Sequence, residues 1–582
     1  MAEQKDIPVG HDEPLKPKHS LPRYSEPTPE THRKLSRESE AEMALKHTRF
    51  TPGSRFLLIL LFLVTILLVP AIQFAVEMRA PQEGRVGTFN IYRAYPAWTK
   101  VRAVRTAKDL WHLLPHGADL KAAEKQLEAE SVVSEWLLPR VQLALVKLGA
   151  GNEQVYLGRD GWLFYRPDVD YVTGQPFLDP GPMRHRLHAQ SVQPDPVKAI
   201  AAFRDQLKAR GIDLIVLPIP MKPGVESARL SAGARSDSIL QNPSFSEFKT
   251  RLQKAGVRVF DPAPFLAQRR TTEPNAPFYL ETDTHWRPET MEFVAEKLAA
   301  LINSPESSNT TTSQKSAHEM KGTGDIARML KLSESQKLYP SESVTVNEVR
   351  VGNSPWLPSK DASILLLGDS FSNIFSLEPL GWGESAGFAE HLSLALGGVP
   401  LDCILRNSDG AFATREILSR ELARGKDRLA GKKLVIWEFA ARELAFGDWK
   451  MLDMKLGQPG PAKFFVPKEG EQVTASGTVE AISTVPQPGS VPYRDHVLAF
   501  HLTDLVIDGR GTGGDLEALV YAESMRDNVP TPASRLRPGD RITLRLRRWA
   551  DVSDKYEKIN RSEIDDPAVQ LEEPCWGVLV SN

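Results

Sequence analysis

The chain has 582 residues, of which 41% are hydrophobic and 25% charged, and its formal net charge is −2. This composition is typical of a globular protein with room for two or three domains, and the charge argues against broad electrostatic binding of nucleic acid. The two cysteines, Cys403 and Cys575, exclude a disulfide framework or a zinc cluster. They permit at most one bridge, which the sequence does not establish.

The N-terminal region contains one segment apolar enough to cross a membrane. Residues 56–76 (FLLILLFLVTILLVPAIQFAV) carry no charge over 21 residues, which is enough for a helix to cross about 30 Å of hydrocarbon. A cleaved signal peptide is the competing interpretation, but its apolar core normally spans about 7–15 residues near the N-terminus. Because 55 residues precede this segment, we predict an uncleaved anchor over 55–78, after a disordered tail over 1–54.

Charged residues on either side of the anchor predict its orientation. Lys46, Arg49 and Arg55 precede the apolar segment with no acidic residue among them, whereas Glu77 and Arg79 roughly cancel behind it. The positive-inside rule therefore predicts a single-pass protein with a cytoplasmic N-terminus. The roughly 500 residues that follow the anchor would then lie outside the cytoplasm.

The chain after the anchor divides into three predicted parts. A helical membrane-proximal segment is expected over 79–150, interrupted or kinked near Pro139. Over 151–455, short apolar strands alternate with amphipathic helices, which predicts a parallel α/β sheet flanked by helices. The polar, Ser/Thr-rich stretch 303–322 within it is interpreted as a loop insertion. Over 471–582, alternating apolar and polar residues between turns predict a small antiparallel β domain, a barrel or a sandwich of uncertain role.

One predicted strand of the α/β region runs directly into a candidate nucleophile. In SILLLGDSFSN, residues 363–373, apolar residues lead into Gly-Asp-Ser. Ligands of parallel sheets bind beyond the carboxyl ends of the strands, which is where Ser370 lies. The alternative is an ordinary strand-to-helix turn in which a polar side chain caps the next helix. Asp369 is itself a candidate for that capping role, and a G-x-S-x-G elbow is not present.

His285 has the most informative setting among the thirteen histidines. It lies in YLETDTHWRPETM, two residues after Asp283 and shortly before a helix opened by Pro288. An aspartate in this position can accept a hydrogen bond from Nδ1 and leave Nε2 free as a base. Half of a metal site and a polar helix start without chemistry are the alternatives. No nearby ligand completes a metal site, and neither a metal nor a cofactor is expected.

The two motifs together resemble a known family. TDTHW, followed about ninety residues later by GDSFS, is similar to the SGNH-like domain of the AlgJ/AlgX family of alginate O-acetyltransferases. GRDGWLFY at 158–165 and KLVIWEFAARELAF at 433–446 resemble the opening and closing strands of that domain. The resemblance covers about 150–450. The serine follows the Asp/His pair, as in this family and in contrast to classical SGNH esterases.

The resemblance implies a Ser–His–Asp site that moves acetyl groups onto an exopolysaccharide outside the inner membrane. Ser370 would be the nucleophile, His285 its base and Asp283 the orienting acid. A polytopic membrane acyltransferase would deliver the acetyl donor to this periplasmic domain. From its position after a predicted strand in LRNSDG, Asn407 is a candidate donor to the oxyanion, although an Asx-turn explains it equally well.

Two other functions remain open from the sequence. An esterase with the same Ser–His–Asp set would pass the acyl group to water, and only the acceptor would differ. A non-catalytic export or assembly factor could retain a glycan groove, although the intact set of three residues argues against it. The particular polysaccharide is not identified by any residue pattern in the chain.

Overall fold

The structure, a computed structural model, describes residues 51–79 and 131–580 apart from 190–191, 235–238, 303–312, 334–335, 408–409, 424, 459–463, 487, 489–490, 492, 509–515, 537–539 and 565. Residues 1–50 of the predicted tail over 1–54 and the segment 80–130 lie outside the described residues, whereas Pro52–Ser54 of that predicted tail belong to a helix. By contacts, the chain divides into two compact units, Met1–Ala75 and Val76–Asn582.

The first unit contains most of one long apolar helix. Helix α1 spans Pro52–Arg79, and its part Pro52–Val76 is long and apolar enough to cross a membrane. Its leucine, isoleucine and phenylalanine side chains are exposed throughout. A water-soluble protein rarely exposes so large an apolar surface, so this helix is consistent with a single membrane anchor.

The second described stretch of the chain, from residue 131, begins with the helix predicted before Gly149. Helix α2 spans Val132–Lys147 and contains Pro139, so the chain is not interrupted at this residue. Ser131 caps its N-terminus by accepting from Ser134 N. Gly149 follows with a positive φ of 81°, a conformation that favours glycine and ends the helix.

The α/β region is built from ten strands and thirteen helices among the described residues. The strands are β1 Val155–Leu157, β2 Leu163–Tyr165, β3 Asp213–Ile219, β4 Arg258–Val259, β5 Ser313–Gly322, β6 Glu342–Val351, β7 Ser354–Pro355, β8 Ile364–Gly368, β9 Leu401–Leu405 and β10 Leu434–Ala440. The helices are α3 Arg166–Thr173, α4 Pro180–Ala189, α5 Pro196–Lys208, α6 Lys222–Val225, α7 Ser227–Leu230, α8 Phe245–Lys254, α9 Ala263–Thr272, α10 Pro288–Ile302, α11 Asp325–Met329, α12 Ser370–Asn373, α13 Phe388–Ala395, α14 Ala413–Ala423 and α15 Glu443–Phe446.

Five of these strands form the central parallel sheet, in the order β4-β3-β10-β8-β9. All four neighbouring pairs are parallel. Every residue of β8 and of β10 is buried, which explains why these strands appear in the sequence as continuous apolar runs between amphipathic helices. The predicted α/β class with a parallel sheet flanked by helices is confirmed.

One sequence interpretation in this region is wrong in part. Residues 303–312 of the predicted loop insertion lie outside the described residues, but Ser313–Gly322 forms strand β5. It pairs antiparallel with β6, and β7 completes a separate three-stranded sheet. The many Ser, Lys and Glu side chains misled the sequence analysis, because a strand of a small exposed sheet tolerates polar residues on both faces.

The C-terminal region forms a closed barrel. Its strands are β11 Gln472–Ile482, β12 His496–Ile507, β13 Ala518–Arg526, β14 Val529–Pro530, β15 Arg541–Arg548, β16 Asn560–Ser562 and β17 Pro574–Leu579, and its short helices are α16 Ser553–Tyr556 and α17 Pro567–Gln570. A pairing of β13 with β12 closes the order β13-β17-β15-β11-β12. The predicted small β domain is confirmed, although two pairs, β12–β16 and β13–β17, are parallel.

Candidate active site

The turn after β8 presents Ser370 at the carboxyl end of the central sheet. Asp369 caps α12, because its side chain accepts from the backbone N–H of Phe371 at 2.8 Å. Its second oxygen accepts from Ala440 N at 2.8 Å, which ties the turn to β10. The capping function therefore falls to Asp369, and the hydroxyl of Ser370 remains available for a different partner.

That partner is His285. The Oγ atom of Ser370 lies 2.8 Å from Nε2 of His285, and Nδ1 of the same ring lies 2.6 Å from Oδ1 of Asp283. All three side chains are buried, with exposed fractions of 7%, 4% and 0%. With the proton on Nδ1 held by the carboxylate, Nε2 accepts from the serine hydroxyl, which is the arrangement of a nucleophile, a base and an orienting acid.

The loop that carries His285 is fixed from two sides. An isolated bridge between Tyr279 and Trp286 closes it, so His285 lies in a loop and does not directly follow a strand of the central sheet. The indole Nε1 of Trp286 donates to the backbone oxygen of Phe371 at 3.1 Å. This bond joins the histidine loop directly to the serine turn, although 85 residues separate the two in sequence.

A buried lysine supports the same loop from below. The ammonium of Lys222 donates to the backbone oxygens of Leu163, Glu281 and Asp283 at 2.6, 2.9 and 2.9 Å. Burial lowers the pKa of Lys222 to about 8. Because the side chain is fully buried, these three bonds replace the water it would otherwise bind, and they fix the backbone of Asp283.

A second carboxylate, Asp325, stands behind the Asp–His pair. Its Oδ2 accepts from the hydroxyl of Thr284 at 2.7 Å, and that hydroxyl lies 3.1 Å from Nδ1 of His285. Its backbone N–H donates to Oδ2 of Asp283 at 3.0 Å. Gly324 precedes it because a Cβ there would come within 2.0 Å of the backbone oxygen of Thr282.

The charges around the histidine shift its pKa and that of its neighbours. Burial alone would lower the pKa of His285, but Asp283, Asp325 and Asp369 together raise it above its ordinary value. Burial would raise the pKa of Asp283, yet the hydrogen bond and charge of His285 hold it well below the usual range. For Asp325, burial and the charge of Asp283 raise the pKa to about 6. The histidine therefore sits in a field that stabilises its protonated form.

Asp283, His285 and Asp325 each offer one possible metal-ligand atom, and these atoms lie within 4.8 Å of one another, as a metal site would require. Their hydrogen bonds favour a different use. Asp283 Oδ2 also accepts from the indole of Trp382 at 2.9 Å, and Asp325 Oδ1 accepts from Thr284 N at 2.8 Å. Each carboxylate oxygen thus faces an N–H or O–H donor, so the donor set fits a proton-transfer chain better than a cation.

Glu438 lies beneath the serine turn. From β10, its Oε2 accepts from Asp369 N at 2.9 Å and from the hydroxyl of Ser372 at 2.7 Å. Burial, together with the charge of Asp369, raises its pKa well above the ordinary value. Gly368 allows this close packing, because a Cβ there would come within 2.6 Å of Ser372 Oγ. The carboxyl group fixes the turn without contacting Ser370.

Asn407, the candidate oxyanion donor, follows β9 but does not contact Ser370 or His285 among the described residues. Its Oδ1 accepts from Asn373 Nδ2 at 3.1 Å. Its Nδ2 donates to the backbone oxygen of Lys558 at 3.4 Å. The structure thus brings together Ser370, His285 and Asp283, and it connects Asn407 to them only through the helical turn that begins at Ser370.

Four residues that support the histidine loop or the serine turn were not identified from the sequence: Lys222, Asp325, Trp382 and Glu438. Glu438 carried a usable signal, since an isolated acid inside the apolar strand KKLVIWEF has to be buried with a partner. Trp382 follows the serine motif by nine residues, and Lys222 and Asp325 lie further from both motifs. None of the three carries a local pattern. Only the folded chain brings them to the site.

A parallel sheet with a Ser–His–Asp set at its carboxyl edge occurs in several classes of enzyme, and SGNH hydrolase-like domains are one of them. Residues 155–441 match the family described as SGNH hydrolase-like domain, acetyltransferase AlgX. The predicted family is therefore confirmed.

Curated relatives carry a related name. The chain is 29% identical over 152 residues to the probable alginate O-acetylase AlgJ of Pseudomonas aeruginosa, covering 26% of this chain and 34% of that protein. It is 27% identical over 192 residues to the probable alginate O-acetylase AlgJ of Pseudomonas putida, covering 33% and 45%. The chain thus spans between about a third and a half of the length of these relatives.

Among solved structures, the O-acetyltransferase domain of Pseudomonas putida AlgJ is similar, with a TM-score of 0.38 and 22% identity. The similarity covers 50% of this chain and 92% of that domain.

Proposed function

We propose that this chain is a membrane-anchored O-acetyltransferase that moves an acetyl group through Ser370 onto a hydroxyl group of an exopolysaccharide. The observation that carries the proposal is the continuous chain of short contacts from Ser370 Oγ to His285 and from His285 to Asp283. The family of residues 155–441 supports acetyl as the acyl group. The relatives named alginate O-acetylases support an acidic polysaccharide as the acceptor.

The proposed reaction has two steps that use the same base. First, Ser370 Oγ attacks the acetyl carbonyl of the donor while His285 Nε2 accepts the hydroxyl proton; the imidazolium then returns that proton to the leaving group. In the second step, His285 takes the proton of the acceptor hydroxyl, whose oxygen attacks the acetyl-serine, and Ser370 regains a proton as it leaves. Asp283 stabilises the imidazolium in both steps.

A group that donates hydrogen bonds to the carbonyl oxygen is needed in each step, because that oxygen becomes negatively charged. Asn407 remains our proposed side-chain donor. Its Nδ2 atom carries two hydrogens. One is donated to the backbone oxygen of Lys558 at 3.4 Å, and the second would be donated to the oxyanion.

The proposed cellular setting follows from the anchor. With the N-terminus in the cytoplasm, α1 would hold the acetyltransferase domain on the outer face of the inner membrane, where a polytopic membrane acyltransferase would supply the acetyl donor. Reporter fusions after residues 150 and 455 test this orientation. An extracytoplasmic signal at both positions is expected, and a cytoplasmic signal at either position contradicts it.

The experiment that tests the function uses the full chain in detergent with an activated acetyl ester and alginate oligosaccharides. Acetylated oligosaccharide is expected as the main product, and Ser370→Ala should abolish it. Free acetate as the main Ser370-dependent product would show an esterase instead. A product yield that is equal in Ser370→Ala and the unchanged protein would overturn the nucleophilic function of Ser370.

A further inference from the structure

The C-terminal barrel contacts the α/β domain at the end of β9, beside the candidate active site. The amide of Asn560 on β16 donates to the backbone oxygen of Asn407. The guanidinium of Arg406 donates in the opposite direction, to the backbone oxygen of Arg561. These four side chains are at most 7% exposed. The barrel therefore holds the main chain of β9 at the point where the strand ends.

The same barrel segment also binds the side chain of Asn407. The backbone oxygen of Lys558 accepts from Asn407 Nδ2, while the other side of that amide, Oδ1, accepts from Asn373. Asn373 is the last residue of α12, the helical turn that begins at Ser370. The orientation of the Asn407 amide is thus fixed from one side by the barrel and from the other by the turn that carries the nucleophile.

A further contact connects the barrel to the chain just after that turn. The ammonium of Lys558 donates to the hydroxyl of Ser376 at 3.3 Å, and this hydroxyl donates to Glu390. Ser376 and Glu390 are both buried. One barrel segment, residues 558–561, therefore touches both Asn407 and the residues that follow α12.

These contacts differ from the other attachments of the barrel. Arg420 pairs with Glu563 at 3.1 Å, with side-chain exposures of 11% and 13%, and Lys426 pairs with Glu573 at 3.3 Å, with 52% and 28%. Ion pairs of this kind attach two domains without fixing an amide orientation. The buried amide and carbonyl bonds at Asn407 are directional, and the low local dielectric strengthens them.

We propose that residues 558–561 of the barrel are a positioning element of the acetyl-transfer site: by holding Asn407 against Asn373, they keep its amide in the orientation that the reaction requires. The barrel then contributes to the transfer step itself, in addition to being attached to the domain. This inference rests on the proposed function, since it assumes that acylation of Ser370 uses Asn407.

A double-mutant cycle in the full chain tests the inference. The rate constant for acetylation of Ser370 by an activated acetyl ester is measured for the unchanged protein, Asn560→Ala, Asn407→Ala and the double variant. We expect Asn560→Ala to lower this rate constant about tenfold, with the KM for the ester little changed, because it misorients a group that acts in the transition state. On the Asn407→Ala background, the same change should have little further effect.

The matched control is Lys426→Gln, which removes the exposed ion pair with Glu573 at the same domain interface without touching Asn407 or residues 558–561. It should leave the acetylation rate within about twofold and should combine additively with Asn407→Ala. If the effects of Asn560→Ala and Asn407→Ala multiply, or if Lys426→Gln is as damaging as Asn560→Ala, the positioning function is wrong. Should Asn560→Ala fail to fold in a thermal melt, Asn560→Ser replaces it in the same cycle.

Failure of the proposed function has a different signature. If the unchanged protein shows no Ser370-dependent acetylation, the nucleophile assignment fails, and the positioning inference fails with it. If Ser370 is acetylated and the cycle shows no coupling between positions 407 and 560, only the positioning inference is overturned.

Discussion

Buried ionisable side chains have different partners at the carboxyl edge of the central sheet and in the interior of the barrel. At the sheet edge, ionisable side chains such as Asp283, Asp325, Glu438 and Lys222 are at most 3% exposed and bind one another or the backbone. In the barrel, the buried side chain of His496 hydrogen-bonds to the hydroxyls of Ser524 and Ser562 and stacks on Tyr493, and burial, with the charge of Arg406, lowers its pKa to about 3.

The difference indicates where the chemistry lies. Burying an ionisable group costs free energy unless it is paired or becomes neutral. His496 is neutral near pH 7. At the sheet edge, in contrast, several ionised side chains act on the pKa of His285. Clusters of this kind are typical of functional sites. Variants of the two regions should therefore differ in their effect on turnover, and this difference can be tested.

The largest expected effect is the loss of the base. His285→Ala should lower the rate constant of acetylation by about 10⁴-fold or more, because it removes the base that we propose takes the proton from Ser370. The double variant with Ser370→Ala should lose little beyond either single variant, since the residues act as a unit. In the barrel, His501→Gln should leave the rate within about twofold. A comparable loss in His501→Gln would remove the contrast between the two regions.

The next effect is on stability. Lys222→Met leaves three buried backbone oxygens without their donor, so we expect the free energy of unfolding to fall by about 3 kcal/mol. Chemical denaturation measures this change. The exposed Lys208→Met, in α5, serves as the control and should change stability by less than about 0.5 kcal/mol. An equally small change for Lys222→Met would mean that the three contacts do not support the histidine loop.

The smallest effect concerns pH. The charge of Asp325 raises the pKa of His285, and Asp325 itself, with a pKa of about 6, is ionised where the histidine titrates. Because only neutral His285 can act as a base, the acetylation rate should fall as the pH drops through the pKa of the histidine. Asp325→Asn should lower that pKa and move the acidic limb of the pH–rate profile down by less than about one unit.

The exposed Asp361→Asn is the control for this measurement and should leave the profile in place. An acidic limb that moves up in Asp325→Asn, or equally in both variants, would contradict the electrostatic action of Asp325 on His285.

Features of the fold and site that depend on a local sequence pattern could be predicted, whereas features that depend on contacts between residues distant in sequence could not. The strands β8 and β10 were predictable because burial on both faces leaves a continuous apolar run, and Ser370, His285 and Asp283 were identified from two short motifs. Strand β5 was missed because polar residues on an exposed sheet lack the alternation that marks a half-buried strand. Asp325 and Lys222 were missed because their functions arise from contacts 40 or more residues away.

The contact between the barrel and Asn407 could not be predicted from the sequence either, because it joins two domains. The sequence placed Asn407 after a strand and predicted a small β domain further along, but no local pattern connects position 407 with positions 558 and 560. More than 150 residues separate the two sides of this contact. The partners of Asn407 therefore depend on how the barrel packs against the α/β domain.

The central claim is that Ser370 carries the acetyl group, and mass spectrometry of the full chain tests it most directly. After brief incubation with an activated acetyl ester and acid quenching, the peptide that contains Ser370 should gain one acetyl group. The gain should be absent in Ser370→Ala and strongly reduced in His285→Ala. Acetylation that is undiminished in Ser370→Ala, or that resides on another residue and turns over at the same rate, would contradict the account.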